Sequence, residues 1–430
     1  MEPSQSSGIL LDENRYRIGY LDKATDCLCR VTFDLTREHY VLIDCLESVH
    51  ELASFPIRSD QPFQISFPGT AKPVQCHISG TFRQQIIGDD PSLYLTFWPF
   101  GDAVINHGSK LFRVDGGIVN FKQYHVGAGR TISLDDGIWK FELTPVGESP
   151  LYPAEIQNQS YLFSHHLLLQ RKDGQSFSWS HARKGLETLS TFLSFCAERS
   201  IAAALVRGYD ESGTVVIQDL GTPRVDPFES RRSWLDEDHG EAIVETFPGF
   251  ARLMEDMEWR ETIRTAIYWY VRGNSNLIGP DGAIILVQTA LERLAWHILV
   301  RVRHSISERS FSDLPAADQL RLALDSCSVP LDLPGKLSEL TAVAIGKKGD
   351  QDWIDGPQAF VAVRNQIVHP GKRKRAKGGR AFFEALELGK WYLELILLRS
   401  FQFNGSYACR LNIPMYVGAV EPVPWALHKI

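Results

Sequence analysis

Long apolar runs are missing from this chain. The opening stretch "MEPSQSSGILLDENRYRIGY" carries acidic residues and no apolar block, so no secretory signal is expected. "AIILV" and "LAWHILV" are broken early by polar or charged residues, which argues against a bilayer span and a membrane partner. Cysteine is scarce. Seven in 430 residues, an odd number, fit reduced thiols in a cytoplasmic protein better than a disulfide framework. Excess charge is missing too: a net −7 excludes a body that binds polyanions wholesale, while leaving room for a local basic site. Internal repeats and low-complexity tracts are absent.

Recognised ligand spacings are equally scarce. Cys27 and Cys29 would share one face of a strand, and Cys76–His77 and His165–His166 are adjacent pairs, but none is spaced as a zinc site. Such cysteines read as small buried apolar residues, and neither a metal nor a cofactor is expected. "YHVGAGRT" lacks the lysine and the strand-to-helix setting of a phosphate loop and reads as a hairpin turn.

What is present is ordinary folded-protein composition, 44% hydrophobic and 23% charged, in a chain long enough for two or three domains. From about Asn14 to Val225 short β-type segments dominate: "RVTFDLT", "PFQISFPG", "VQCHISGTF", "LYLTFWPF", "WKFELTPV" and "TVVIQDLG". They are rich in β-branched and aromatic residues, several alternate, and Gly, Pro, Asp and Asn punctuate them. This spacing predicts an antiparallel sandwich or barrel. One helix interrupts it: "HARKGLETLSTFLSFCAERS" sets Leu186, Leu189, Leu193 and Cys196 on one face.

Pro223, Pro227 and an acidic run mark a change of texture. Beyond it, five or so amphipathic helices with short connections predict an antiparallel bundle. The expected organisation is α+β. A β-rich domain covers 1–225, a linker 226–240, an all-helical bundle 241–402, and an extended tail 403–430. The aromatic residues of "LYLTFWPF" and "WYLELILL" read first as core.

Chemistry concentrates in "VRNQIVHPGKRKR", residues 363–375. Phe360, Val363 and Ile367 form an apolar stripe, leaving the other side free for polar groups. Asn365 and His369, four apart, face the same way, and Arg364 lies about 140° round from His369 on a 3.6-residue wheel. Pro370 pushes His369 out of the helix, and a helix end favours a protonated imidazole. An imidazole beside a guanidinium suits proton transfer with phosphate clamping. Lys372, Arg373, Lys374, Arg375, Lys377 and Arg380 follow, with no acidic residue between Asp355 and Glu384. These residues would hold a polyanion such as RNA, although such a run taken alone reads first as a solvated loop. Arg293, His297, Arg301 and His304 line one face of the preceding long helix. They read first as its wet face, alternatively as an RNA-binding cleft. Glu292, beside them, is a candidate to orient a catalytic Arg or His.

R-N-x-x-x-H at the end of an amphipathic helix, inside a helical domain, resembles the Arg-x4-6-His signature of the HEPN superfamily. "IILVQTALERLAW" is similar to the long helix of its Apea-like members. The resemblance covers roughly residues 240–402. It implies a four- or five-helix bundle that dimerises and cleaves RNA without metal, leaving a 2′,3′-cyclic phosphate. It also implies roles: His369 in proton transfer, Arg364 on the scissile phosphate, and Asn365 in positioning. The function expected on that resemblance is a cytoplasmic, homodimeric endoribonuclease of antiphage defence by abortive infection. A phage-derived trigger would act at the β-rich domain. The alternative is a non-catalytic RNA- or protein-binding module with a ligand-sensing β domain.

Overall fold

The computed structural model describes residues 9–20, 23–34, 40–47, 49, 63–67, 73–78, 83–87, 90–99, 104–108, 110–147, 161–221, 223–229, 231–275, 277–346, 354–369, 379–412 and 416–426. The architecture is α+β and multidomain, a β-rich amino-terminal part followed by a helical part. By contacts the chain forms two compact units. Unit 1 comprises Met1–Lys122, Ile138–Glu187 and Ile201–Glu229; unit 2 comprises Gln123–Gly137, Thr188–Ser200 and Ser230–Ile430. The division is therefore discontinuous along the sequence, with two early segments counted in the helical unit.

Unit 1 holds a closed antiparallel barrel. Its strands are β1 (Ile9–Tyr20), β2 (Lys23–Asp34), β3 (Tyr40–Cys45), β4 (Phe63–Ser66), β5 (Val74–Ile78) and, after the β6–β7 pair (Arg83–Ile87 and Asp90–Tyr94), β8 (Thr96–Pro99). The order round the barrel is β1-β2-β3-β8-β5-β4. Alternation drives it: Phe63 and Ile65 of β4 turn inward while Gln64 and Ser66 do not, the period-two pattern of a strand with one buried face. Closure gives each of the six strands two hydrogen-bonded neighbours. A second antiparallel sheet uses β9 (Val104–Asn106), β10 (Arg113–Val119), β12 (Trp139–Pro145), β13 (Phe163–Arg171), β14 (Ala202–Tyr209) and β15 (Val215–Asp219), in the order β12-β13-β10-β14-β15-β9. Val119, Ala204, Leu220 and Val225 join the barrel's Tyr16, Ile43, Phe63 and Phe97 in one apolar cluster.

Unit 2 includes β11 (Ile132–Asp135) and the later part of α1 (Trp179–Ala197). Then come α2 (Glu241–Glu255), α3 (Met257–Gly273), α4 (Pro280–Trp296), α5 (Glu308–Asp313), α6 (Ala316–Ser326), α7 (Ser338–Ile345), α8 (Gly356–Val368) and α9 (Gly379–Ser400). A short pair, β16 (Ser406–Tyr407) and β17 (Glu421–Pro422), completes it. Asp256 caps α3 by accepting from the Trp259 amide at 2.9 Å, as an N-cap aspartate does. α9 is buried continuously from Glu384 to Leu398, the mark of a central helix.

Two expectations change. The 226–240 stretch, read as a linker because of its prolines and acidic run, is built into the fold over its latter part. Trp234 is fully buried, stacks on Phe195 at 5.3 Å, and Ser233 bonds the Cys196 carbonyl at 2.7 Å. The apolar runs also add up to more than expected. α4 continues without a break into a π turn (His297–Val302), so Pro280–Val302 is long and apolar enough to cross a membrane. Most of its most apolar stretch is buried, with Ile284, Val287, Leu291 and Leu294 in the core of the protein.

Candidate functional site

Three features of α8 hold its far end in place. Asp355 caps its start, accepting from the Gln358 amide at 2.8 Å, and is itself held by Arg321 at 2.6 Å. Phe360 and Val363 are buried. Close approach to α9 fixes the seating: Gly389 lies against the Phe360 ring, where a Cβ would come within 2.5 Å, and Gly356 meets the Tyr392 hydroxyl.

At the other end the helix stops at Val368. His369 takes φ −117°, ψ 77°, outside the helical region, as the proline after it requires. Its amide still donates to the Asn365 carbonyl at 3.0 Å. Asn365 and His369 are exposed and Arg364 is half-buried. Arg364 Nη1 donates to Asn365 Oδ1 at 3.2 Å, and Arg364 Nε is buried with no partner among the described residues. Arg364, Asn365 and His369 thus gather at one helix end. Lys372, Arg373, Lys374, Arg375 and Lys377 lie outside the described residues. Arg380 bonds Glu384 at 3.2 Å.

The remaining candidates lie elsewhere in unit 2. Glu292 accepts from Gln288 at 2.8 Å, within its own helix. Arg293 pairs with Glu261 at 2.8 Å, and Arg301 grips Glu258 through two bonds of 2.6 and 3.2 Å. His297 is not on a wet face. It is 2% exposed, with its ring 4.3 Å from that of Trp259 and Nδ1 3.4 Å from Thr262 Oγ1. Burial pushes its pKa down, which favours the neutral ring. The four-residue spacing still holds from Arg293 to His297, whose N–H bonds the Arg293 carbonyl, and the ring is covered by Trp259 and Thr262 of α3; the π turn that opens there (Arg303 N to Ile298 O, 2.9 Å) widens the ladder only beyond it.

Two clusters escape sequence reading. Arg410, 1% exposed, bonds Glu394 at 2.9 Å, Glu387 at 3.2 Å and Glu198. Tyr270 bridges them, donating to Glu198 at 2.7 Å and to Glu394. Lys390 lies 3.6 Å from Glu387. Burial pushes the Glu198 carboxyl up to about 7 against the pull of Arg410, so this group takes up a proton near neutrality. Glu387, Lys390 and Glu394, set three and four apart within the mostly apolar run from Ala385 to Leu398, were the available signal. The other cluster is in the barrel: Cys27, Cys29 and Cys45 are buried, with their sulfurs all within 4.8 Å of one another. Hydrogen bonds from Cys29 and Cys45 hold the Cys27 thiol down to about 3, and those two are pushed up in turn.

Residues 256–421 match the YopA C-terminal domain family, and residues 106–231 match the YopA central domain family. A prophage-derived relative, described as the SPbeta prophage-derived uncharacterized protein YopA of Bacillus subtilis (strain 168), is 30% identical over 266 residues. That alignment takes in 62% of this chain and 58% of the relative, so the chain spans under two thirds of the curated protein it matches. No solved structure matches the chain.

Proposed function

We propose that this chain is a metal-independent endoribonuclease of HEPN type, acting in the cytoplasm as a homodimer in the conflict between phage and host. One observation carries the reading. Arg364 Nε is a buried donor without a partner among the described residues, beside exposed Asn365 and His369 at one helix end. A buried unpaired guanidinium nitrogen calls for an acceptor, and a phosphate oxygen supplies one.

The chemistry is in-line transesterification. The RNA 2′-oxygen attacks phosphorus and gives its proton to an imidazole. The P–O5′ bond breaks, the leaving oxygen takes a proton, and a 2′,3′-cyclic phosphate remains. Arg364 balances the charge that builds on the phosphate, and Asn365 orients Arg364 through their 3.2 Å bond. One His369 serves one proton; the second transfer falls to His369 of another copy, which makes the site dimeric. The prophage-derived relative supports a phage-linked role, and abortive infection triggered through the β-rich unit is the form of it we favour.

The test uses the full chain in EDTA with structured and unstructured RNA. Cleavage to cyclic-phosphate ends is expected, falling at least about 100-fold in Arg364→Ala and in His369→Ala. RNA binding without cleavage supports instead a non-catalytic RNA- or protein-binding module. That second reading is favoured by one contact: Arg364 bonds Asn365 and not His369.

A further inference from the structure

Three of the seven cysteines converge inside the barrel. Cys27 and Cys29 are two apart on β2, so their side chains share its inner face. Cys45 ends β3 and is the register partner of Cys29. Their exposures are 1%, 0% and 5%. A cysteine used as a small apolar residue packs against any carbon, which gives no reason to set three sulfurs on each other. An ion seated among sulfurs all within 4.8 Å of one another is about 2.8 Å or less from each, and contraction of a few tenths brings metal–thiolate bond lengths into reach.

We propose that Cys27, Cys29 and Cys45 form a site for a soft, thiophilic cation that accepts three sulfur ligands, with Cu(I) as the ion. Ligand count makes the choice. Structural zinc closes its shell with four protein ligands, and among the described residues no fourth Cys, His, Asp or Glu joins these three. Thiolate-only sites select soft ions, and the buried setting keeps water and oxidants from the bound ion. The way in is short. The Cys27 sulfur lies 3.9 Å from the Glu47 carbonyl, and Glu47 forms an exposed ion pair with Arg15. Binding releases thiol protons to solvent and changes no oxidation state. The site is independent of the ribonuclease reading, since none of its residues lies in unit 2.

The test titrates the reduced full chain with Cu(I), without oxygen, against a coloured Cu(I) chelator, and in parallel with Zn²⁺. One Cu(I) per chain is expected, with three sulfur neighbours by X-ray absorption. Cys29→Ser and Cys45→Ser should weaken binding by more than the roughly 10–100-fold of an outer-sphere change. Cys76→Ser, in β5 of the same barrel and outside the trio, should leave it unchanged. If the serine variants do not fold, the wild type alone decides: Cu(I) must slow alkylation of these three cysteines and of no others. The proposal is overturned if Cu(I) fails to bind stoichiometrically, if the variants keep it, or if Zn²⁺ binds as tightly. A Cys29–Cys45 disulfide whose reduction restores no Cu(I) binding overturns it as well.

Discussion

Unit 2 holds two arginines in opposite circumstances. Arg410 is sealed in the core among three carboxylates and a tyrosine, with its donors satisfied many times over. Arg364 sits half-buried at a helix end, bonded to a neighbouring amide and with one nitrogen unpartnered among the described residues. The same side chain serves as a structural rivet in one place and as an open hand in the other. Burial and acid partners decide which. A guanidinium surrounded by glutamates has its charge balanced, whereas one bonded to Asn365, with no carboxylate partner among the described residues, keeps its charge for a ligand.

The strongest way to break this comparison is to remove Arg410. Arg410→Ala leaves buried carboxylates uncompensated and should cost about 3–5 kcal/mol in urea unfolding. Next is Glu198. A carboxyl held near 7 when folded, against an ordinary 4.5, binds more protons folded than unfolded between those values. Its contribution is therefore full below about pH 4.5 and is lost as pH rises through about 7, on the order of 3 kcal/mol in total. Thermal melts of Glu198→Gln across that window should lose this slope; an unchanged slope would show that the proton resides elsewhere. Gly389→Ala pushes a methyl into the Phe360 ring and should cost about 1–3 kcal/mol, and it should lower RNA cleavage by tilting α8. Arg301 and Glu258, both exposed, should couple by only about 0.2–1 kcal/mol in a double-mutant cycle, less in high salt. Arg364→Ala should be the mildest, within about 0.5 kcal/mol in stability, even as the proposed cleavage falls by at least about 100-fold. Loss of stability comparable to Arg410→Ala would make the two arginines alike and end the distinction.

Much of this was legible from local pattern. Alternation found Phe63 and Ile65, helical periodicity found α1 and α4, and Pro370 announced the end of α8 at His369. The misses share a cause, which is distance along the chain. Cys45 joins Cys27 and Cys29 only through strand register. His297 is covered by Trp259 and Thr262, which lie more than thirty positions upstream on α3. Trp234 hides in a stretch whose prolines and acids spell linker, because tertiary packing outweighs local composition. Arg410 looks like an ordinary tail residue, and nothing near it announces partners so far upstream.

That separation has a consequence in time. Glu198 and Arg410 are 212 positions apart, and the core of unit 2 cannot neutralise its charges until both have been made. At roughly 5–20 residues per second, the ribosome adds the arginine roughly 10–40 s after the glutamate. Within that interval α8 and its Arg364 leave the peptidyl-transferase centre while the buried glutamates still lack Arg410. The arrival of Arg410 acts as a clock, and the buried charge cluster can be completed only after it.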